Sequence, residues 1–164
     1  MSQAQQMKGR LRAVEASSLS HVLIRSSRLL YEYAVLGLQR SGHHGVRVAH
    51  TSLLPHLTPE GIRTTELARR LGVSKQAVSQ LVSDLESEGY LERRADPDDG
   101  RAKRVHMTAR GYEVQIVGLG LMSEFERGLA DALGDEKLAE FREGVAAARQ
   151  WLDERLKVAR SRSK

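Results

Sequence analysis

TTELARRLGVSKQAVSQLVS, residues 64–83, is the most informative segment of this 164-residue chain. Its first part has the apolar spacing of a short helix and runs into Gly72, which predicts a turn. Ser74 then starts a second helix, whose periodic apolar face includes Val78. Two helices joined by a short turn that contains glycine form a helix-turn-helix motif, which presents its second helix to the major groove of DNA.

The outward face of this second helix carries polar side chains that suit base reading. Glutamine pairs bidentately with adenine, lysine reaches guanine, and serine bonds to bases or phosphates. Acidic residues crowd the C-terminal end of the helix, so we predict that its N-terminal half enters the groove, aided by the helix dipole. The predicted recognition residues are Ser74, Lys75, Gln76, Ser79, Gln80 and Ser83.

A basic β-hairpin is predicted directly after the motif. Residues 90–95 and 101–107 alternate as strands do, and DPDDG, residues 96–100, predicts a long loop between them. Such a hairpin is a wing, and an arginine at its tip can enter a narrow minor groove. We expect the carboxylates of Asp96 and Asp99 to hold the Arg101 guanidinium. The predicted DNA-binding residues of the wing are Arg93, Arg94, Arg101, Lys103 and Arg104.

Arg63, Thr64 and Thr65 precede the first helix of the motif. Their side chains and the free amides of the helix start are suited to a phosphate. The alternative is that Thr64 only caps the helix.

The rest of the chain predicts helices, so the fold class is mainly α with a small β-hairpin wing. Residues 1–16 form a polar lead-in that frays or extends the first helix, which covers about residues 17–40 and is broken at residues 41–45. A second helix covers about residues 48–57, with Pro55 kinking it or lying near its end. Thr108 caps a long helix, and Asp135 caps the last one, which precedes a basic tail at residues 159–164.

Composition narrows the class of protein further. Lys and Arg number 26 against 21 Asp and Glu, and this excess suits a polyanionic partner. The absence of cysteine excludes disulfides and thiolate metal sites. Neither a signal peptide nor an apolar stretch long enough for a membrane is present, so we expect a cytoplasmic protein with no membrane partner.

Enzymatic and metal functions are not indicated. The sequence has no nucleophilic cysteine, phosphate-binding P-loop or G-x-S-x-G motif, so we predict neither catalysis nor a cofactor. His44, His50 and His56 are spaced six residues apart, and on one helix they would point in directions about 120° apart. We therefore predict no metal site.

The stretch from Glu66 to Gly111 resembles the core of the MarR family of winged helix-turn-helix transcription regulators. The wing motif D-x-x-D-x-R is present as Asp96, Asp99 and Arg101, and Thr108 matches the threonine that closes the wing in the family. The resemblance is strong over residues 62–112 and compatible in helix order over residues 18–158. It implies a homodimer on a pseudo-palindromic operator, with Arg101 in the minor groove.

This resemblance divides the chain into parts. Residues 17–158 become a single MarR-type domain, with the winged core at residues 62–107 and dimerisation helices at residues 17–40 and 109–158. The residues support dimerisation separately, because the short core cannot cover the long apolar stripes of the flanking helices. Those stripes need each other or a second subunit.

The resemblance also implies a small effector, since many members of the family release DNA when a phenolic or carboxylate ligand binds. Candidate residues in the corresponding region are Tyr31, Tyr33, His43, His44, Arg47 and His50. The sequence thus predicts a sequence-specific, ligand-responsive transcriptional repressor. Two alternatives stay open: an architectural DNA-binding protein without an effector, and a winged-helix module that binds proteins.

Overall fold

The computed structural model describes residues 3–162. Within that range the helices are α1 (Gln3–Ser17), α2 (Leu19–Arg40), α3 (Val48–Thr51), α4 (Thr64–Leu71), α5 (Lys75–Ser87), α6 (Ala109–Leu133) and α7 (Asp135–Arg162). The strands are β1 (Ile62–Arg63), β2 (Leu91–Asp96) and β3 (Asp99–Met107). The predicted fold class, mainly α with a small β wing, is confirmed.

The chain divides into two compact units. The first extends to Leu119 and contains the helix-turn-helix and the sheet, and the second begins at Gly120 and contains the end of α6 and all of α7. The predicted lead-in is helical from Gln3, and the predicted tail belongs to α7 as far as Arg162. Residues 1–2 and 163–164 of those two segments lie outside the described residues.

The helix-turn-helix has the predicted geometry. Gly72 ends α4 with a φ of 67°, a left-handed conformation that glycine adopts without steric cost. Ser74 caps α5, because its hydroxyl accepts a hydrogen bond of 3.1 Å from the Ala77 amide. Val78 and Val82 lie on the inner face of α5 and are fully buried. The polar face of this helix is therefore fixed outward.

The sheet has three antiparallel strands in the order β1-β3-β2. The prediction of a long loop between β2 and β3 was wrong, because the strands continue to Asp96 and Asp99 and leave only Pro97 and Asp98 as a turn. Asp96 Oδ1 accepts a hydrogen bond of 2.9 Å from the Asp98 amide, which closes the turn early. β1 was not predicted, since a two-residue strand carries no periodicity.

The predicted helix over residues 48–57 is two short pieces. α3 ends at Thr51, and a 3₁₀ turn follows at Leu54–His56. Pro55 has no amide hydrogen and crowds the preceding turn, so it can begin this 3₁₀ turn but cannot continue an α-helix. The predicted break after α2 is confirmed, since Arg40 is its last residue.

Thr108 joins the sheet to α6 in the predicted capping role. Its hydroxyl accepts a hydrogen bond of 3.1 Å from the Gly111 amide and donates one of 2.7 Å to the Gly89 carbonyl. Gly111 lies so close to Tyr90, the residue before β2, that an added Cβ would overlap the Tyr90 carbonyl oxygen. Glycine is required here by close approach, not by its backbone angles.

Replacing Gly111 with alanine is expected to destabilise the protein by about 1–3 kcal/mol, the usual cost of overpacking. The overlapping atom is backbone, so α6 must shift away from β2. Urea unfolding followed by circular dichroism measures the change. Gly118→Ala is the matched control, because nothing lies within 4 Å of its added Cβ. The control should not be destabilised, and equal losses in both variants would contradict the packing argument.

Both units expose apolar side chains. In the first unit the most exposed on α2 are Leu19, Ile24 and Leu29. In the second unit Gly134 ends α6 with a φ of 81°. The prediction that Asp135 caps the last helix was wrong, because Asp135 is already the first residue of α7. One face of α7 exposes Phe141, Val145, Leu152 and Leu156. Among residues 3–162, no helix is both long enough and apolar enough to cross a membrane.

Candidate nucleic-acid interface

The polar face of α5 presents most of the predicted recognition residues to solvent. Lys75 and Gln76 lie exposed in the first turn, where the helix amides carry partial positive charge. Gln80 is exposed one turn later, and Ser79 beside it is half-buried. Ser74 already uses its hydroxyl oxygen to accept the capping bond.

Each of two acidic residues near the C-terminal end of α5 has a cationic partner. Asp84 is paired with Arg47, and Glu86 with Arg93. The Asp84 pKa is lowered, first by a hydrogen bond of 2.8 Å from the Gln80 amide and also by the Arg47 charge. These pairs compensate part of the negative charge that a DNA phosphate would meet.

Arg93 connects the wing to the recognition helix. It lies on β2, and its guanidinium reaches back to α5, where it pairs with Glu86 and donates a hydrogen bond of 3.1 Å to the Ser83 hydroxyl. A longer bond of 3.5 Å goes to the Ser79 carbonyl. The Arg93 guanidinium, predicted to contact DNA, is therefore engaged within the protein.

Asp96 joins the base of the wing to the start of α4. Its side chain is fully buried, and Oδ2 accepts hydrogen bonds from Arg63 Nε at 2.5 Å and Arg104 Nε at 3.0 Å. These two arginines hold the Asp96 pKa well below its usual range. The expectation that Asp96 holds Arg101 was wrong, because the Asp96 carboxylate is bound by the guanidinium groups of Arg63 and Arg104. Asp99 instead accepts a hydrogen bond from the Arg101 backbone amide.

The remaining basic residues of the wing face solvent. Arg101 and Lys103 lie exposed on β3, and within residues 3–162 neither side chain forms an ion pair. Arg94 is exposed on β2 and pairs with Glu92 at 2.5 Å. Arg101, next to the turn, is thus available for a partner.

The predicted phosphate residues lie together at the start of α4. Arg63 is the residue before the helix, so the alternative that Thr64 caps it was wrong: Thr64 is already the first helical residue. Thr65 is exposed, whereas the Arg63 guanidinium is 42% exposed and bound to Asp96. At the other side of α4, Glu66 pairs with Arg69 and Arg70, which lower the pKa of its carboxyl to about 2.

The candidate effector residues do not share one site. His44 and Arg47 line a cleft of about 300 Å³, together with Asp84 and Glu88 of α5. The other candidates lie elsewhere: His43 and His50 are buried, and Tyr31 and Tyr33 are exposed on α2. Burial, followed by the Arg47 charge, lowers the His50 pKa. In the described part of the chain, no three histidine or carboxylate side chains converge as metal ligands.

Asp84 and Asp96 organise this surface, although the sequence indicated neither role. Each belongs to pairs of residues far apart in the chain, such as Arg47 with Asp84, and periodicity does not reveal such pairs. The short separation in sequence between Glu86 and Arg93 was a usable signal that these two residues pair. A strand that follows a helix through a tight turn lies beside that helix.

The two-helix motif, the three-stranded sheet and the Thr108 cap together define a winged helix-turn-helix domain. A sequence profile of the MarR family matches residues 44–102, which contain this motif and most of the hairpin. Over this segment the chain is similar to the MarR family.

One curated relative is also similar to part of this chain. The transcriptional regulator AdcR of Streptococcus pneumoniae is 41% identical over 64 residues, a match that covers 37% of this chain. The matched segment spans less than half, 44%, of the AdcR sequence.

Solved structures share the fold over most of the chain. The transcriptional regulator Tm0710 of Thermotoga maritima has a TM-score of 0.59 at 25% identity, covering 84% of this chain and 96% of its own. The repressor CouR, bound to a 23-mer DNA duplex, has a TM-score of 0.65 at 21% identity, covering 83% and 95%. CouR of Rhodococcus jostii RHA1 has also been solved with p-coumaroyl-CoA.

Proposed function

We propose that the protein is a sequence-specific DNA-binding transcription regulator, acting in the cytoplasm as a repressor. The observation behind this proposal is that α5 and the wing form one connected surface. Arg93 of β2 bonds to α5, and β2 leads to the hairpin turn beside Arg101. A helix for the major groove and an arginine for the minor groove are thereby held in fixed relation.

Charge and relatives support the same proposal. The chain has a net charge of +5, and Lys75, Arg101 and Lys103 are exposed on the proposed surface. AdcR is named a transcriptional regulator, and CouR has been solved on a DNA duplex. No step of the proposal requires catalysis or a cofactor.

We further propose that the protein acts as a homodimer. The support is the apolar face of α7, on which Phe141 and Leu152 are each about half exposed in the single chain. Large exposed apolar stripes on a helix are typical of surfaces that a partner covers. A two-fold dimer places two recognition helices on half-sites about one helical turn of DNA apart.

Leu152→Glu is expected to convert the dimer to a monomer. Two copies of the change, each costing about 2 kcal/mol or more, would weaken association about 1,000-fold. Sedimentation velocity measures the oligomeric state. Ala147→Glu adds the same charge to an exposed position on the opposite face of α7 and should leave the dimer unchanged. A wild-type protein that is monomeric at micromolar concentration would contradict the homodimer.

Release of DNA by a small phenolic or carboxylate effector is the final part of the proposal. The cleft lined by His44 and Arg47 supports it, because a guanidinium suits a carboxylate and Asp84 of α5 lines the same cleft. The complex of CouR with p-coumaroyl-CoA shows that a neighbour in fold binds an organic ligand.

The proposed function is tested by recovering fragments of the source genome on immobilised wild-type protein, then sequencing them. A regulator enriches a few fragments that share a pseudo-palindrome, and screening small aromatic acids for release of those fragments tests the effector. An architectural protein would enrich no common sequence. A protein-interaction module would retain no DNA at all.

A further inference from the structure

Gln80 and Asp84 lie one turn apart on α5 and are hydrogen-bonded. The Gln80 side-chain Nε2 donates to Asp84 Oδ1 at 2.8 Å. An ionised carboxylate only accepts hydrogen bonds, and the lowered Asp84 pKa keeps it ionised at neutral pH. The amide nitrogen must therefore face Asp84, and the Gln80 carbonyl oxygen must face away from it.

Asp84 is itself held by a second element. Its other oxygen, Oδ2, pairs with the Arg47 guanidinium, and the buried His50 Nε2 lies 3.7 Å from the same oxygen. His50 Nδ1 accepts a hydrogen bond of 3.2 Å from the Arg47 backbone amide, so the neutral ring carries its proton on Nε2. Both donors face Oδ2, which leaves Oδ1 for Gln80.

The orientation of a glutamine amide decides which base the glutamine can pair with. Adenine presents a donor, N6–H, beside the acceptor N7, whereas guanine presents two acceptors, O6 and N7. A glutamine that turns freely can direct its oxygen to adenine or its nitrogen to guanine. With its nitrogen held, Gln80 presents its oxygen outward, where it would meet the guanine O6 as one acceptor facing another.

We propose that Asp84 is a specificity-determining positioning residue, which holds the Gln80 amide so that Gln80 accepts adenine and rejects guanine at one base pair of each half-site. The proposal rests on the proposed function, because it requires α5 to lie in a major groove. Asp84 need not contact DNA itself.

Selection from a randomised duplex library tests this role in four full-length proteins: wild type, Gln80→Ala, Asp84→Asn and Glu113→Gln. Loss of preference in Gln80→Ala identifies the base pair that Gln80 reads. At that base pair the wild type should prefer adenine to guanine by at least about tenfold, within the usual range for one bidentate contact.

Asp84→Asn should reverse this preference. The Asn oxygen stays with the two donors from Arg47 and His50, so the Asn nitrogen faces Gln80 and bonds to its oxygen. The Gln80 amide then turns over and presents its nitrogen to guanine. Glu113→Gln removes the same charge from an exposed position on α6, and it should keep the preference for adenine.

Three results would overturn the proposal: an unchanged adenine preference in Asp84→Asn, a wild-type preference for guanine, or no altered base pair in Gln80→Ala. If Asp84→Asn melts far below the wild type, Asp84→Ala replaces it, and loss of discrimination between adenine and guanine is then expected. If the wild type enriches no sequence, the proposed function itself fails.

Discussion

Arg101→Ala is expected to lower the affinity for the selected DNA site at least about 30-fold, because each dimer loses two arginine contacts worth about 1–3 kcal/mol each. Arg101 lies exposed beside the hairpin turn, and its backbone amide donates a hydrogen bond to Asp99. Its side chain can therefore reach a narrow minor groove without first breaking an ion pair. Fluorescence anisotropy with a labelled duplex measures the loss.

The same variant should remain a dimer with an unchanged melting temperature, because the exposed Arg101 side chain forms no ion pair or hydrogen bond with residues 3–162. Arg25→Ala is the matched control, since it removes an equal charge from an exposed position on α2. The control should bind DNA almost as the wild type does. Wild-type affinity in Arg101→Ala would remove the hairpin from the DNA contact.

Asp96→Asn is expected to lower both the stability of the winged domain and its affinity for DNA. The buried carboxylate is the shared partner of Arg63 and Arg104, and its neutral replacement removes this counter-charge from both and leaves Arg104 paired with the exposed Asp98. The base of the wing then loses its charged connection to the start of α4, although the pairing of β1 with β3 remains. Urea unfolding and DNA anisotropy measure the two losses.

Asp98→Asn is the matched control for Asp96. It pairs with the same Arg104 at 2.7 Å, but its side chain is 75% exposed. A surface pair contributes about 1 kcal/mol or less, so the stability loss in Asp96→Asn should be several times that in Asp98→Asn. Equal losses would show that burial of the Asp96 carboxylate does not matter.

The lowered Asp96 pKa also predicts how stability depends on pH. A carboxyl with a depressed folded-state pKa stabilises the fold above its unfolded pKa, about 3.9, and this stabilisation is lost as the pH falls further. Glu66, with its pKa lowered to about 2, acts in the same direction. Asp96→Asn should therefore show a smaller decrease in unfolding free energy between pH 5 and pH 2, a range chosen to bracket about 3.9.

The elements with strong local signals were predicted from the sequence. Gly72 and Ser74 fixed the turn and the start of α5, and Thr108 fixed the start of α6, because caps and turns depend on residues within a few positions of each other. The alternation of β2 and β3 gave the hairpin, although not its short turn. The exposed face of α5 also followed from its helical period.

The partners of the charged side chains were not predictable in this way. Sequence patterns showed a row of arginines in the wing, but not that Arg93 and Arg104 bind Glu86 and Asp96 while Arg101 stays exposed. These choices depend on the register of β2 against β3 and on a bulge beside Asp96. Only a three-dimensional arrangement separates arginines that hold the wing from the one proposed to contact DNA.

Sequence-specific DNA binding is tested most directly by comparing two wild-type affinities at physiological salt. One is the affinity for the selected site, and the other is the affinity for a scrambled duplex of equal length. We predict a preference of at least about 1,000-fold, the lower end for specific DNA-binding proteins. We also predict that binding to both duplexes weakens as salt increases, since phosphate contacts contribute to each. Equal affinity for the two duplexes would contradict a sequence-reading role for α5 and the wing.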